Sequence, residues 1–215
     1  MKIGILGTGM VGNSIGSKLI SLGHEVMMGS RIATNEKAAE FVKNAGKGAS
    51  QGTFADTAKF GKLLFNCTKG EFSLDVLQLA GAENMNGKIL VDVANPLDFS
   101  NGMPPSLTIC NTDSLGETIQ RTFPSVKVVK TLNTMNCFLM VDANKVAGEH
   151  DIFICGNDAS AKATVEEILR KGFGWKNIID LGDITNARAT EMLLPIWVRL
   201  YGKFQSPDFN FHIVR

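Results

Sequence analysis

The chain has 215 residues, with 22 lysines and arginines against 21 aspartates and glutamates, and a net charge of +1. At 44% hydrophobic and 20% charged residues it excludes disorder. Its near-neutral balance excludes a broad electrostatic footprint for nucleic acid or anionic membrane, while leaving room for a small local basic site.

The first predicted element is a strand over residues 2–6, carried by Ile3, Ile5 and Leu6. A helix over residues 13–22 follows, with Ile15, Leu19, Ile20 and Leu22 at helical spacing and Gly23 as its C-cap. A second strand covers 24–28, and a helix covers 35–44 until Gly46 stops it. Leu63, Leu64 and Phe65 mark a buried strand over 62–67. Residues 73–80 read as helix, 88–93 as a strand ending before Asn95-Pro96, 112–122 as helix and 126–130 as strand. Further on, 151–155 reads as strand, 160–171 as helix and 177–181 as strand. The last element, over 186–204, is apolar around most of its circumference, which predicts burial, and Pro195 should kink or restart it.

Strands alternating with helices predict βαβ units around a parallel sheet, and the strands lack clean polar alternation, as expected when helices cover both faces. The 13 phenylalanines, against 2 tryptophans and 1 tyrosine, are expected in the core. No 18-residue apolar run is present. Met1-Lys2 leads straight into a strand rather than a signal-peptide pattern, so the expectation is a cytoplasmic chain. Cys67, Cys110, Cys137 and Cys155 form no C-x-x-C and have no zinc-like spacing to His24, His150 or His212, so free thiols and no metal site are expected.

Gly7-Thr8-Gly9-Met10-Val11-Gly12 lies between the first strand and the first helix. In that context each glycine has a role: Gly7 permits the tight turn, Gly9 lets a pyrophosphate approach the backbone, and Gly12 allows close helix–strand packing. Unpaired N–H groups at the helix N-terminus then face the phosphates. The competing reading is a purely structural turn. The fold class expected is α/β: a Rossmann-type, doubly wound, mostly parallel sheet with a smaller C-terminal α/β extension. The expected division is 1–135 for dinucleotide binding and 136–215 for an extension packed on it, holding the acceptor site and a possible dimer interface.

A site for NAD places a carboxylate at the end of the second strand, on the ribose 2′-hydroxyl. Here the strand ends in Gly29-Ser30-Arg31. A guanidinium and a hydroxyl suit a 2′-phosphate, so NADP is predicted, with Arg31 pairing with the phosphate and Ser30 donating to it. The alternative is that Arg31 is a solvated loop cation. At the other strand ends, Cys67-Thr68, Asn95-Pro96 and Asn133 should line the same crevice. The two asparagines are read as ribose or carboxamide partners or as plain turn residues. Cys67 is read as a small buried hydrophobe rather than a redox thiol.

No acid–base constellation emerges. The one tyrosine, Tyr201, lies in the apolar last helix, and the three histidines fall outside the strand ends. Hydride transfer can proceed by positioning alone, because the cofactors carry the chemistry. The glycine motif, Leu22-Gly23-His24-Glu25-Val26, Gly29-Ser30-Arg31, Asp92-Val93-Ala94-Asn95-Pro96-Leu97, Val129-Lys130-Thr131-Leu132-Asn133-Thr134 and Ala187-Arg188 with Glu191 resemble the coenzyme F420-dependent NADP oxidoreductases. The start also resembles the related reductase domain of six-transmembrane metalloreductases. The resemblance implies NADP binding by Thr8, Ser30 and Arg31, a homodimer, and hydride transfer between NADP(H) and a deazaflavin or flavin-like acceptor. The segment Cys67-Thr68-Lys69-Gly70 departs from the family's apolar, proline- and tryptophan-containing pattern. Two other functions are weighed: a non-catalytic NADP-binding sensor, and an NADPH-dependent reductase of a small carbonyl or imine. The second would want a proton donor and a larger helical dimerisation domain.

Overall fold

In the computed structural model, which describes residues 1–215, the apolar runs become a single sheet that carries both cores. The strands are β1 (Lys2–Leu6), β2 (Glu25–Ser30), β3 (Ala49–Thr53), β4 (Leu63–Asn66), β5 (Ile89–Asp92), β6 (Leu97–Asp98), β7 (Ser106–Leu107), β8 (Lys127–Thr131), β9 (Asp151–Cys155) and β10 (Asn177–Asp180). The helices are α1 (Met10–Ser21), α2 (Glu36–Ala45), α3 (Phe54–Phe60), α4 (Ser73–Ala80), α5 (Ala82–Met85), α6 (Leu115–Thr122), α7 (Cys137–Val141), α8 (Ala159–Glu167) and α9 (Ala187–Phe204).

Eight strands form the main sheet in the order β10-β9-β8-β5-β4-β1-β2-β3, while β6 and β7 make a separate short antiparallel pair. All neighbours in the main sheet run parallel except β8 and β9. The fold is therefore the expected Rossmann-type α/β architecture. The chain winds outward from β1 through β2 to β3, then returns to β4 on the other side of β1. That reversal makes the carboxyl ends of β1 and β4 the switch point where an open α/β sheet binds ligands.

Alternation along each strand sends side chains to two cores. Ile3, Ile5, Phe65, Val91 and Val129 pack on one face with Ile15 and Leu19 of α1 and Phe41 of α2. Leu6, Leu64, Leu90 and Val128 pack on the other with Val76 and Leu77 of α4 and Ile119 of α6. The C-cap expected at Gly23 is a Schellman ending: Gly23, at φ +82°, donates its N–H to Ile20, and His24 donates to Leu19.

Two expectations need correction. α9 runs unbroken past Pro195, and its fully buried residues are confined to Ala187, Thr190, Glu191 and Leu194. α6 meets the helix at Ala187, Arg188 and Glu191, while Ile196, Tyr201 and Phe204 further along are exposed. The phenylalanines are also not mainly core: Phe41, Phe54, Phe65, Phe123 and Phe173 are buried, while Phe72, Phe99, Phe138 and Phe204 are exposed. β3 and α3 have no counterpart among the elements expected from the sequence. The polar β3 strand, Ala-Ser-Gln-Gly-Thr, is an edge strand that takes its hydrogen bonds from β2.

Candidate functional site

Two adjoining clefts open at the carboxyl ends of the parallel strands. The first, of about 420 Å³, brings together Gly7, Thr8, Gly9, Ser30, Arg31, Cys67 and Thr68. The glycine motif behaves as its spacing requires. Gly7 adopts φ +119°, and a Cβ there would meet the Cys67 carbonyl at 2.8 Å. A Cβ on Gly12 would lie 2.4 Å from the Gly7 carbonyl, so helix and turn pack backbone to backbone. Nothing lies within 4 Å of a Cβ built on Gly9, the residue a pyrophosphate would approach. Gly9 is also the N-cap of α1 and supplies no side-chain cap. α2 and α6, by contrast, are capped by Asn35 and Ser114. The first turn of α1 therefore keeps N–H groups free for an anion.

Arg31 is exposed beside this cleft, its guanidinium 5.7 Å from the centre of the Phe72 ring. The stacking holds the cation at the mouth while leaving its donors free for a phosphate. Ser30 is buried, and its hydroxyl donates to the Ile32 carbonyl. Its proton is thus engaged in shaping the Arg31 loop rather than aimed at the cleft. Lys69 lines the cleft as a second cation, paired at 4.0 Å with Glu71.

The second cleft, of about 210 Å³, gathers Val11, Thr68, Asn95 and Asn133. Its apolar walls come from Val93, Leu97, Phe99, Met135, Met140 and Leu194. Thr68 and Lys69 line both clefts and stand at their junction. Asn95 and Asn133 hold each other: Asn95 donates to the Asn133 carbonyl at 2.8 Å, and the Asn133 amide donates to Asn95 Oδ1 at 2.9 Å. The preceding residue, Leu132, is a buried leucine at φ +63°, a left-handed conformation that a non-glycine residue adopts at a cost. That turn brings Asn133 to Asn95.

Of the residues expected at the site, Gly12 does the packing its place in the motif requires, Met10 opens α1 with its side chain exposed, and Pro96 lines neither cleft. Sequence reasoning missed Phe72, Phe99 and Leu194, which carry no local motif and arrive through tertiary packing. The histidines lie outside both clefts: His24 meets the amino terminus, His150 packs edge-on to Trp175, and His212 meets Asp151.

Cys67 borders the first cleft, yet it is buried and packs in the core beneath it. Burial, reinforced by the charge of Asp92, raises the thiol far above its ordinary range. Burial likewise pushes Cys155 up to about 12. Since the thiolate is the reactive form, Cys67 is a packing residue. Native protein should take up close to one equivalent of a maleimide, at the exposed Cys110, and four after denaturation. Rapid native labelling of Cys67, located by mass spectrometry, would contradict this reading.

The model of the family described as NADP oxidoreductase, coenzyme F420-dependent, matches residues 2–96. The F420-dependent NADP reductase of Methanocaldococcus jannaschii is 30% identical over 99% of this chain and 98% of its own length. Metalloreductase STEAP3 of Rattus norvegicus is 31% identical over 91% of this chain, but the match spans only 38% of that protein. A crystal structure of a candidate F420-dependent NADP-reductase from Arthrobacter sp. FB24 is 52% identical and superimposes with a TM-score of 0.95 over the whole of both chains.

Proposed function

The chain belongs to the coenzyme F420-dependent NADP oxidoreductase family, and on that footing we propose that it transfers a hydride between NADP(H) and a deazaflavin or flavin acceptor seated against the nicotinamide. An NADP-dependent oxidoreductase needs one site that grips a phosphorylated dinucleotide and another that holds the acceptor. The observation that carries the reading is the junction of the two clefts at Thr68.

The first cleft takes the adenosine half. Gly7, Thr8, Gly9 and the first turn of α1 hold the pyrophosphate, and Arg31 holds the 2′-phosphate. The nicotinamide then lies past Thr68, against Val11, Asn95 and Asn133, with the acceptor on the apolar side of the second cleft. No tyrosine or histidine lines that cleft, and its ionisable groups, Lys69 and Glu71, are exposed. Such a site aligns a hydride donor with an acceptor and supplies no buried proton donor.

The division at about residue 135 is part of this reading, with 136–215 adding Met140 and Leu194 to the acceptor side. A homodimer fits the exposed Met192, Ile196 and Phe204 on α9. No helix is long and apolar enough to cross a membrane. A cytoplasmic location fits the four free cysteines.

Steady-state NADPH oxidation with reduced-acceptor detection, using F420, FMN and ferric chelates in parallel, tests the proposal. Turnover with F420 or FMN that survives Lys69→Ala is expected. Turnover of a small imine or carbonyl that Lys69→Ala abolishes would replace it with the carbonyl-type reaction. Micromolar NADPH binding with no turnover of any acceptor would replace it with a sensor.

A further inference from the structure

Behind Thr68 a continuous polar chain crosses the sheet without reaching solvent. At its near end three groups form a ring. Thr68 Oγ1 donates to Asn66 Oδ1 at 2.7 Å, the Asn66 amide donates to Ser73 Oγ at 3.0 Å, and the two hydroxyls meet at 2.9 Å. The amide orientation follows from the next contact. Asn66 Nδ2 also reaches Asp92 Oδ1 at 2.8 Å, and a carboxylate can only accept. Asp92 accepts in turn from the Ala94 N–H and from Lys130 Nζ at 2.8 Å. Lys130 Nζ uses its other two protons on the Ala94 carbonyl and on Glu191 at 2.8 Å. Glu191 closes the chain at the start of α6, accepting the N–H groups of Leu115 at 2.8 Å and Gly116 at 3.1 Å.

Asn66, Ser73, Asp92, Lys130 and Glu191 are all essentially inaccessible, and none of them lines either cleft. Each nevertheless bears on a segment that does. Asn66 and Ser73 fix the hydroxyl of Thr68 at the junction. Asp92 and Lys130 clamp both backbone groups of Ala94, and so aim the Asn95 that pairs with Asn133.

We propose that Glu191 and Lys130 are positioning residues for hydride transfer, acting through Asp92 and Asn66 to hold Thr68 and Asn95 against the nicotinamide. The proposal rests on placing the nicotinamide in the second cleft. It assigns α9 a role in the reaction although most of that helix lies outside the site. A buried, fully connected polar network defines one geometry, because any rearrangement leaves a charged group unpaired. Small displacements of a reacting pair cost rate steeply.

The two ends of the chain provide the test. Glu191→Gln removes the far charge, and Ser73→Ala removes one hydroxyl from the ring beside Thr68. Each variant is measured in three ways: melting temperature, affinity for adenosine 2′,5′-bisphosphate against NADPH, and kcat and KM for NADPH with the best acceptor. Both should bind the bisphosphate as the parent does, because the adenosine half is untouched. Both should lose nicotinamide fluorescence in the bound state, and kcat should fall ~10-fold with KM for NADPH changed less than ~3-fold. Parent-like fluorescence and kcat in either folded variant would overturn the proposal, whatever the melting temperature. If Glu191→Gln does not fold, Glu191→Asp, which keeps the charge but shortens its reach to Lys130, carries the same readouts and the same overturning result. The fluorescence arm needs no acceptor, so a parent that reduces neither F420 nor flavin undermines the proposed reaction and leaves this one to be judged by its own readout.

Discussion

Replacing Lys130 with methionine is expected to destabilise the fold by ~3–5 kcal/mol, the range for removing one partner of a buried ion pair. Lys130 and Asp92 are fully inaccessible, and Glu191 is nearly so. In the parent, burial works against the ammonium, but the facing charges of Asp92 and Glu191 outweigh it and raise the Lys130 pKa. The methionine variant keeps most of the volume and removes the only cation between two buried carboxylates. What remains is two unpaired negative charges in a low-dielectric interior. Urea unfolding monitored by circular dichroism measures the loss. Because folding raises the Lys130 pKa, the stability this lysine contributes to the parent is complete below the ordinary lysine range and is lost as pH rises through the raised value. The surface pair Lys171–Glu167, at 2.7 Å, is the control: Lys171→Met should change stability by less than ~1 kcal/mol. Equal losses from the two substitutions would show that burial contributes nothing to the Lys130 cluster.

Much of the architecture was legible because its signals are local. The strands β1, β4, β5, β8 and β9 are apolar runs that can be buried on both faces, and the glycine motif states its own backbone requirements. β3 carried no such signal. It is polar, sits at an edge, and is held by pairing with β2 that no local window contains. The site divides the same way. Gly7, Thr8, Gly9, Ser30 and Arg31 were legible as strand-end chemistry. Asn95 and Asn133 were placed at the crevice, yet their mutual hydrogen bonds join residues 38 positions apart. Lys130, Asp92 and Glu191 appeared only as polar letters in otherwise apolar or motif-like stretches. Their meaning depends on α9 docking against α6 through Arg188–Glu117 and Glu191. Ser30 illustrates a different limit: its position was readable, but the hydrogen bond that engages its hydroxyl depends on the conformation of the next two residues.

Arg31→Ala should weaken NADPH binding by ~1.5–3 kcal/mol, the usual cost of losing a hydrogen bond to a charged group, which is ~10–150-fold in Kd. NADH affinity should change less than ~2-fold, since NADH has no 2′-phosphate to lose. The asymmetry follows from the mouth of the first cleft. β2 ends at Ser30 with no carboxylate beside it, and Arg31 stands free of any salt bridge while resting against Phe72. Lys69 shares the cleft but is tethered loosely to Glu71, so it adds a diffuse positive field that Arg31→Ala leaves in place. A residual preference for NADPH over NADH in the variant would therefore be Lys69's contribution, removed by Lys69→Ala in the same background. Phe72→Ala should weaken NADPH binding by a smaller factor, because it loosens the guanidinium without removing it. Isothermal titration of each variant with NADPH, NADH and adenosine 2′,5′-bisphosphate separates these terms. A parent protein that binds NADPH and NADH equally would mean that Arg31 is a solvated loop cation and that the 2′-phosphate is recognised elsewhere or not at all.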